Sequence, residues 1–183
     1  MAGLFDIVDR NAFLDAVQRQ ETSTNRIDPD APMLSPTEAV SPSGAVGVMQ
    51  IIPEFAVKPG YGAQSIFDVA EGMGFDMPQD MRTEEVAKQL AIDPAVAREY
   101  AANYLSAMFD KFGSVDEALA AYNFGPRGYG EIEGAGGSGM PKETREYYPG
   151  VRRWYTEATG EAFPVGISPR PQQRPSGLLN QVK

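Results

Sequence analysis

The chain has 183 residues, enough for a single domain with a real core, and its 42% hydrophobic and 22% charged residues are ordinary for a globular protein. It holds no cysteine and no histidine, which excludes disulfides, the usual zinc sites and any mechanism that needs a thiolate or an imidazole, so acid–base work falls to Asp, Glu, Lys or Tyr. A net charge of −9 makes it a poor partner for nucleic acid or anionic lipid, and no apolar run approaches membrane-spanning length.

The opening residues, Met-Ala-Gly-Leu-Phe-Asp-Ile-Val-Asp-Arg, lack a basic stretch followed by an apolar one and do not read as a secretory signal. Leu4, Ile7, Val8, Phe13, Leu14 and Val17 approximate a helical stripe and predict a helix over 4–20, with Asn11 a candidate fresh start. The polar string Arg19-Gln20-Glu21-Thr22 closes it. By position alone, Glu21 reads as a solvated residue at a frayed helix end. Residues 22–40 form a polar loop rich in Pro, Asp and Ser, in which Glu38 is a rival acid without a helix before it.

Val40 to Pro53 reads as a turn feeding a buried helix start. Ser41, Pro42 and Ser43 supply turn chemistry, and Gly44 and Gly47 allow conformations or approaches that a side chain would forbid. Gln50 is a lone amide among Val48, Met49, Ile51 and Ile52. It must reach solvent, a hydrogen-bond partner or a polar ligand.

Residues 54–82 read as irregular, with a turn at Lys58-Pro59-Gly60-Tyr61-Gly62. Thr83 caps a short helix through Leu90, and Asp93-Pro94 opens a core helix to Phe112. Tyr100, Tyr104, Leu105, Met108, Phe109 and Phe112 recur on it at spacings of three and four, and Gly113 ends it. Ser114-Val115-Asp116-Glu117 is a capping box for the next helix, which runs into Ala120-Ala121-Tyr122-Asn123-Phe124-Gly125. On physical grounds Tyr122 is a core aromatic and Asn123 a helix terminator. The glycine-rich stretch 127–141 predicts a mobile loop. A final helix carries Glu143, Tyr147, Val151, Trp154 and Tyr155, with Trp154 in the core or stacked on a sugar. From Pro164 the chain reads as a Pro-rich, disordered tail or linker, which leaves 1–163 as the folded domain.

Four of these blocks, in this order, resemble the soluble lytic transglycosylases, lysozyme-like enzymes that cleave peptidoglycan. Arg19-Gln20-Glu21-Thr22 is similar to that family's Arg-Gln-Glu-Ser, and Ser41-Pro-Ser-Gly-Ala-Val-Gly-Val-Met-Gln-Ile-Ile-Pro53 to its Ser-x-x-Gly-Ala-x-Gly-Leu-Met-Gln-x-x-Pro. Ala120 to Gly125 resembles Ala-Ala-Tyr-Asn-x-Gly, and Met140 to Tyr147, Met-Pro-Lys-Glu-Thr-Arg-Glu-Tyr, resembles Pro-x-x-Glu-Thr-x-x-Tyr. The resemblance covers about 12–156. It departs in the loop after Glu21, where an insertion around Met33 to Glu38 makes the gap longer than the family's. The Pro-Gly-aromatic-Gly string at 59–62 resembles phage-associated members.

The resemblance implies a mainly α, lysozyme-like fold with a helical, bundle-like body and a central substrate cleft. It makes Glu21 the catalytic acid, and Ser41, Met49, Gln50, Tyr122, Asn123, Glu143 and Tyr147 substrate-binding residues of the cleft. The implied reaction cuts the MurNAc–GlcNAc linkage with one Glu as acid and then base, leaves 1,6-anhydro-MurNAc ends and uses no cofactor or metal. The implied partner is a peptidoglycan glycan strand, met by a monomer with neither nucleic acid nor membrane insertion, in the periplasm or at the cell wall. A phage lysin, a virion-associated wall-penetrating domain and a piece of a larger exported protein all fit. The alternatives are a hydrolytic, goose-type lysozyme on the same fold, and a non-catalytic wall-binding or virion structural protein.

Overall fold

The computed structural model describes residues 2–28, 30–134 and 139–164. These fold into helices α1 (Arg10–Thr22), α2 (Pro53–Val57), α3 (Ile66–Gly72), α4 (Glu84–Ile92), α5 (Pro94–Phe112), α6 (Val115–Phe124), α7 (Pro126–Gly134) and α8 (Lys142–Thr159). Among the described residues there is no β-strand, only isolated bridges, so the mainly helical expectation holds.

The capping signals act where the sequence puts them. Asp93 accepts hydrogen bonds from the amides of Ala95 and Val96, with Pro94 in the first turn of α5, and Gly113 ends that helix at φ +96°. Ser114 accepts from the Glu117 amide and bonds the Glu117 carboxyl, which starts α6. Helix α5 is the axis of the molecule. Ala97, Ala101, Leu105, Met108 and Phe109 are entirely buried, and α6 lies along it through Ala118, Leu119 and Ala121. These alanines let the two helices approach closely, while the larger side chains fill the space on either side. Helix α8 then packs on both α1 and α6, and α2, α3 and α4 form a smaller group against α5. One contiguous core joins Leu4 to Tyr155.

The α1–α8 crossing is tight at one glycine. A Cβ on Gly150 would come within 2.2 Å of the Gln20 amide oxygen. That amide is buried and accepts a hydrogen bond from the Trp154 indole at 3.2 Å. Trp154 is therefore a core residue and not a sugar platform.

Four expectations need correction. Residues 4–20 are not one helix. Leu4–Asp6 form a 3-10 turn, and α1 starts at Arg10 because extended Asp9 caps it, accepting from the Ala12 amide at 2.8 Å. The apolar run after Gly47 is not helical either. Val46 and Ile51 exchange backbone hydrogen bonds, Gly47 and Gln50 adopt φ +74° and +47°, and the helix waits until Pro53. Residues 54–82 are more regular than expected, since Ser65 caps α3 by accepting from the Asp68 amide. Glycine-rich 127–141 opens with α7, where Gly128 sits so close to the Phe124 ring that a Cβ would lie 2.8 Å from it. Tyr129 anchors α7 edge-on to Phe112, with ring centroids 5.0 Å apart. The rest of that loop at 135–138 and the Pro-rich tail at 165–183 lie outside the described residues.

Candidate active site

Glu21 sits in the last turn of α1, where the helix runs into the long loop, and it lines a cleft of about 750 Å³. Its carboxyl accepts a 2.6 Å hydrogen bond from the Tyr147 hydroxyl of α8. Burial pushes its pKa up to about 7, against the opposing pull of the Tyr147 hydrogen bond and the nearby Arg26 charge; Glu143 adds a further upward push. The carboxyl can thus hold a proton far closer to neutrality than an ordinary Glu, and Tyr147 engages its Oε1.

Burial and the neighbouring Glu21 hold the phenols of Tyr122 and Tyr147 well above their ordinary pKa, so both remain hydroxyl donors. Tyr122 donates to the Met49 carbonyl at 2.7 Å and ties α6 to the turn at 46–51. Within that turn the Gln50 side-chain NH2 donates to the carbonyls of Ala39 at 2.9 Å and Gly47 at 3.1 Å. The lone amide of the apolar run is therefore a clamp that holds its own left-handed backbone, and Gln50 also lines the cleft. The Ser41 hydroxyl accepts from the Ala45 amide at 3.0 Å and bonds Ser43 at 2.8 Å, so it too shapes the loop that forms the wall. Asn123 is fixed by buried Thr144, whose hydroxyl donates to its side-chain oxygen at 2.8 Å. Asn123 also lines the cleft.

The structure thus brings Glu21, Ser41, Gln50, Tyr122, Asn123 and Glu143 to one cavity. Met49 and Tyr147 belong behind its wall. Their side chains have no exposed surface, and they reach the site through the Met49 carbonyl and the Tyr147 hydroxyl bond to Glu21. Neither is among the residues that line the cavity, so the structure places both one layer behind it. Glu38 lies elsewhere. It is exposed and bonds Ser35, which lowers its pKa.

Several lining residues escaped the sequence reading. Tyr100 and Tyr104 stack at 6.0 Å, and Tyr104 meets Tyr122 edge-on at the same distance, forming an aromatic wall. Burial raises the Tyr104 phenol to about 12 and Tyr100 higher still. Their spacing on α5 is that of any core face. The available signal was chemical: two tyrosines among leucines and phenylalanines carry hydroxyls that need a polar neighbour. Phe55, Tyr61 and Phe124 add exposed rings at the rim, and Arg26, Lys58 and Arg127 add cations. Among the described residues, no group of His, Cys, Asp or Glu is arranged to hold a metal, and no helix is long and apolar enough to cross a membrane.

The site thus sets one carboxyl, its pKa raised by burial, at a helix end beside a wall of tyrosines in a helical body. A family model described as the transglycosylase SLT domain matches residues 35–138. The chain belongs to that family of lytic transglycosylases. The match includes Ser41, Met49, Gln50, Tyr122 and Asn123, while Glu21, Glu143 and Tyr147 fall outside it and join the site through the fold. Among solved structures, the chain is similar to the 70 kDa soluble lytic transglycosylase SLT70 from Escherichia coli, at 23% identity with a TM-score of 0.53. The similarity covers 86% of this chain and 23% of that one, so the chain spans under a quarter of that protein's length. At this identity the likeness establishes the helical fold.

Proposed function

We propose that this chain cleaves the MurNAc-β-1,4-GlcNAc bond of peptidoglycan by lytic transglycosylation, with Glu21 as both acid and base and the cell wall as its place of action. The observation that carries this reading is the raised pKa of Glu21, about 7, on the wall of a cleft of about 750 Å³ lined by aromatic and amide side chains. Protonated Glu21 gives its proton to the bridging oxygen, and the bond from C1 to that oxygen breaks. The substrate's own N-acetyl oxygen stabilises the positive centre at C1. Glu21, now a carboxylate, takes the proton of the C6 hydroxyl as that oxygen closes on C1. The products are a free GlcNAc 4-hydroxyl and a 1,6-anhydro-MurNAc end. No water is consumed, and Glu21 ends protonated as it began.

Asn123 and Gln50 offer amide groups to the sugars, and the rings of Phe55, Tyr61 and Phe124 offer faces on which a pyranose can stack. Glu21→Gln should lower release of soluble fragments from purified sacculi by at least about a thousandfold, since the proton donor is lost while the hydrogen bond from Tyr147 can persist. Retained activity in that variant would sink the assignment.

Hydrolysis is the second reading, favoured by one observation: Glu143 lines the same cleft and could orient a water. It is, however, exposed and turned toward Arg26. Mass spectrometry of the products decides between the two, because hydrolytic ends are heavier by one water than anhydro ends. A wall-binding protein without turnover would bind sacculi and release nothing.

A further inference from the structure

Arg26 comes from the loop that follows Glu21 at the end of α1. Its backbone is fixed from the far side, where the Arg153 guanidinium of α8 donates to its carbonyl. Its side chain turns into the cleft and faces Glu143 at 3.8 Å, with the two side chains 44% and 65% exposed. So long and so open an ion pair contributes little, and a better-placed carboxylate can displace it. The cleft lining also holds Lys58, which is exposed and has no ion-pair partner among the described residues, and Arg127, whose 88% exposed side chain pairs with its helix neighbour Glu131. Once Glu21 is protonated, three cations face one acid there. The cleft is cationic on a molecule whose net charge is −9. The fork of an arginine matches a carboxylate through two parallel hydrogen bonds, which a lone ammonium cannot reproduce.

We propose that Arg26 is a specificity-determining residue that leaves Glu143 for a free carboxylate on the glycan strand, so that the cleft selects strands carrying negative charge beside the scissile bond. The inference rests on the lytic reading above, because it takes the glycan strand as the ligand. That carboxylate comes from the peptide stem or from the lactyl ether of a muramic residue whose stem has been removed.

The test compares the full chain with Arg26→Gln and Arg26→Lys on three substrates: native sacculi, sacculi whose carboxylates have been converted to neutral methylamides, and peptide-stripped strands that keep the lactyl carboxylate. Arg26 also lowers the pKa of Glu21, so rates are read near about pH 5.5, where Glu21 is protonated in all three proteins. On native sacculi Arg26→Gln should raise KM about tenfold with little change in kcat, and Arg26→Lys should recover part of that loss. On the amidated substrate all three proteins should coincide. Persistence of the tenfold loss on stripped strands assigns the contact to the lactyl carboxylate, and its disappearance there assigns it to the stem. An equal loss on native and amidated substrates, or no loss on either, overturns the proposal. If the unaltered chain releases nothing from any substrate, the lytic reading has failed separately. Pelleting of the same proteins with native and amidated sacculi then reads the charge preference on its own.

Discussion

Glu21 and Tyr147 are 126 positions apart, yet one 2.6 Å bond makes them a unit. The phenol donates to the carboxyl and so favours its charged form, while burial works in the opposite direction and prevails. Tyr147→Phe removes the stabilising bond and should move the Glu21 pKa above about 7. The alkaline limb of kcat/KM would move up with it, and kcat would fall because the carboxyl loses its orientation. Arg26→Gln and Glu143→Gln should shift the same limb in opposite directions, upward for the lost cation and downward for the lost anion. Arg26, Glu143, Tyr147 and the Tyr122 phenol are the titratable neighbours of that carboxyl. A pH–rate profile for each variant measures the shifts, and a limb that stays fixed in all three would mean another group governs it.

At the scale of elements, the turn at 46–51 depends on a contact with α4. A Cβ on Gly47 would lie 2.1 Å from the Ala91 carbonyl oxygen, and Gly47 already has φ +74°. Gly47→Ala therefore meets both a backbone collision and a strained conformation, and should cost about 3 kcal/mol or more in urea unfolding. It should also weaken activity, because the same turn presents the Met49 carbonyl to Tyr122 and carries Gln50. Stability within about half a kilocalorie of the parent would show that α4 gives way readily. This turn also shows why only part of the fold could be read from sequence. Helices α4, α5 and α6 announce themselves through Thr83, Asp93-Pro94, Gly113 and Ser114, which act on backbone a few residues away. The conformation after Gly47 is decided by a helix more than forty positions later, so its apolar run resembled a helix start. Helix α7 was hidden for a similar reason. Gly128 and Gly130 argue locally for a loop, but Tyr129 packing on Phe112 holds the segment helical. In the site, Glu21, Tyr122 and Asn123 were visible as motif residues. The division between the cleft surface and the layer behind it is set by long-range packing: Tyr147 on α8 bonds Glu21 on α1, and the Met49 carbonyl accepts from Tyr122 on α6.

For the whole molecule, keeping an acid of this kind has a thermodynamic consequence that extends beyond catalysis. The Glu21 pKa is raised from an ordinary 4.5 to about 7, so between those values the folded chain binds more protons than the unfolded one. Its contribution to stability is fully present below about pH 4.5, falls as pH rises, and is gone above about pH 7; the loss amounts to as much as about 3 kcal/mol. Other carboxylates act in the opposite sense. Ser65 and Arg82 hold Asp68 below its usual pKa, and Ser35 does the same for Glu38, so both favour the fold above the ordinary carboxylate range and lose that effect in acid. The stability optimum should therefore lie on the acid side of neutrality, between the loss of these hydrogen-bonded carboxylates and the ionisation of Glu21. Glu21→Gln removes only the alkaline side of this balance. Urea unfolding should find the variant more stable than the parent at pH 8, by an increment that shrinks toward pH 4, where both side chains are neutral. The same substitution that stops turnover would then strengthen the fold, as expected when the cost of holding a proton donor ready is met by the rest of the structure. Equal stability of the two proteins from pH 4 to pH 8 would mean that the carboxyl ionises as freely in the cleft as in water, which would leave the acid step without its physical basis.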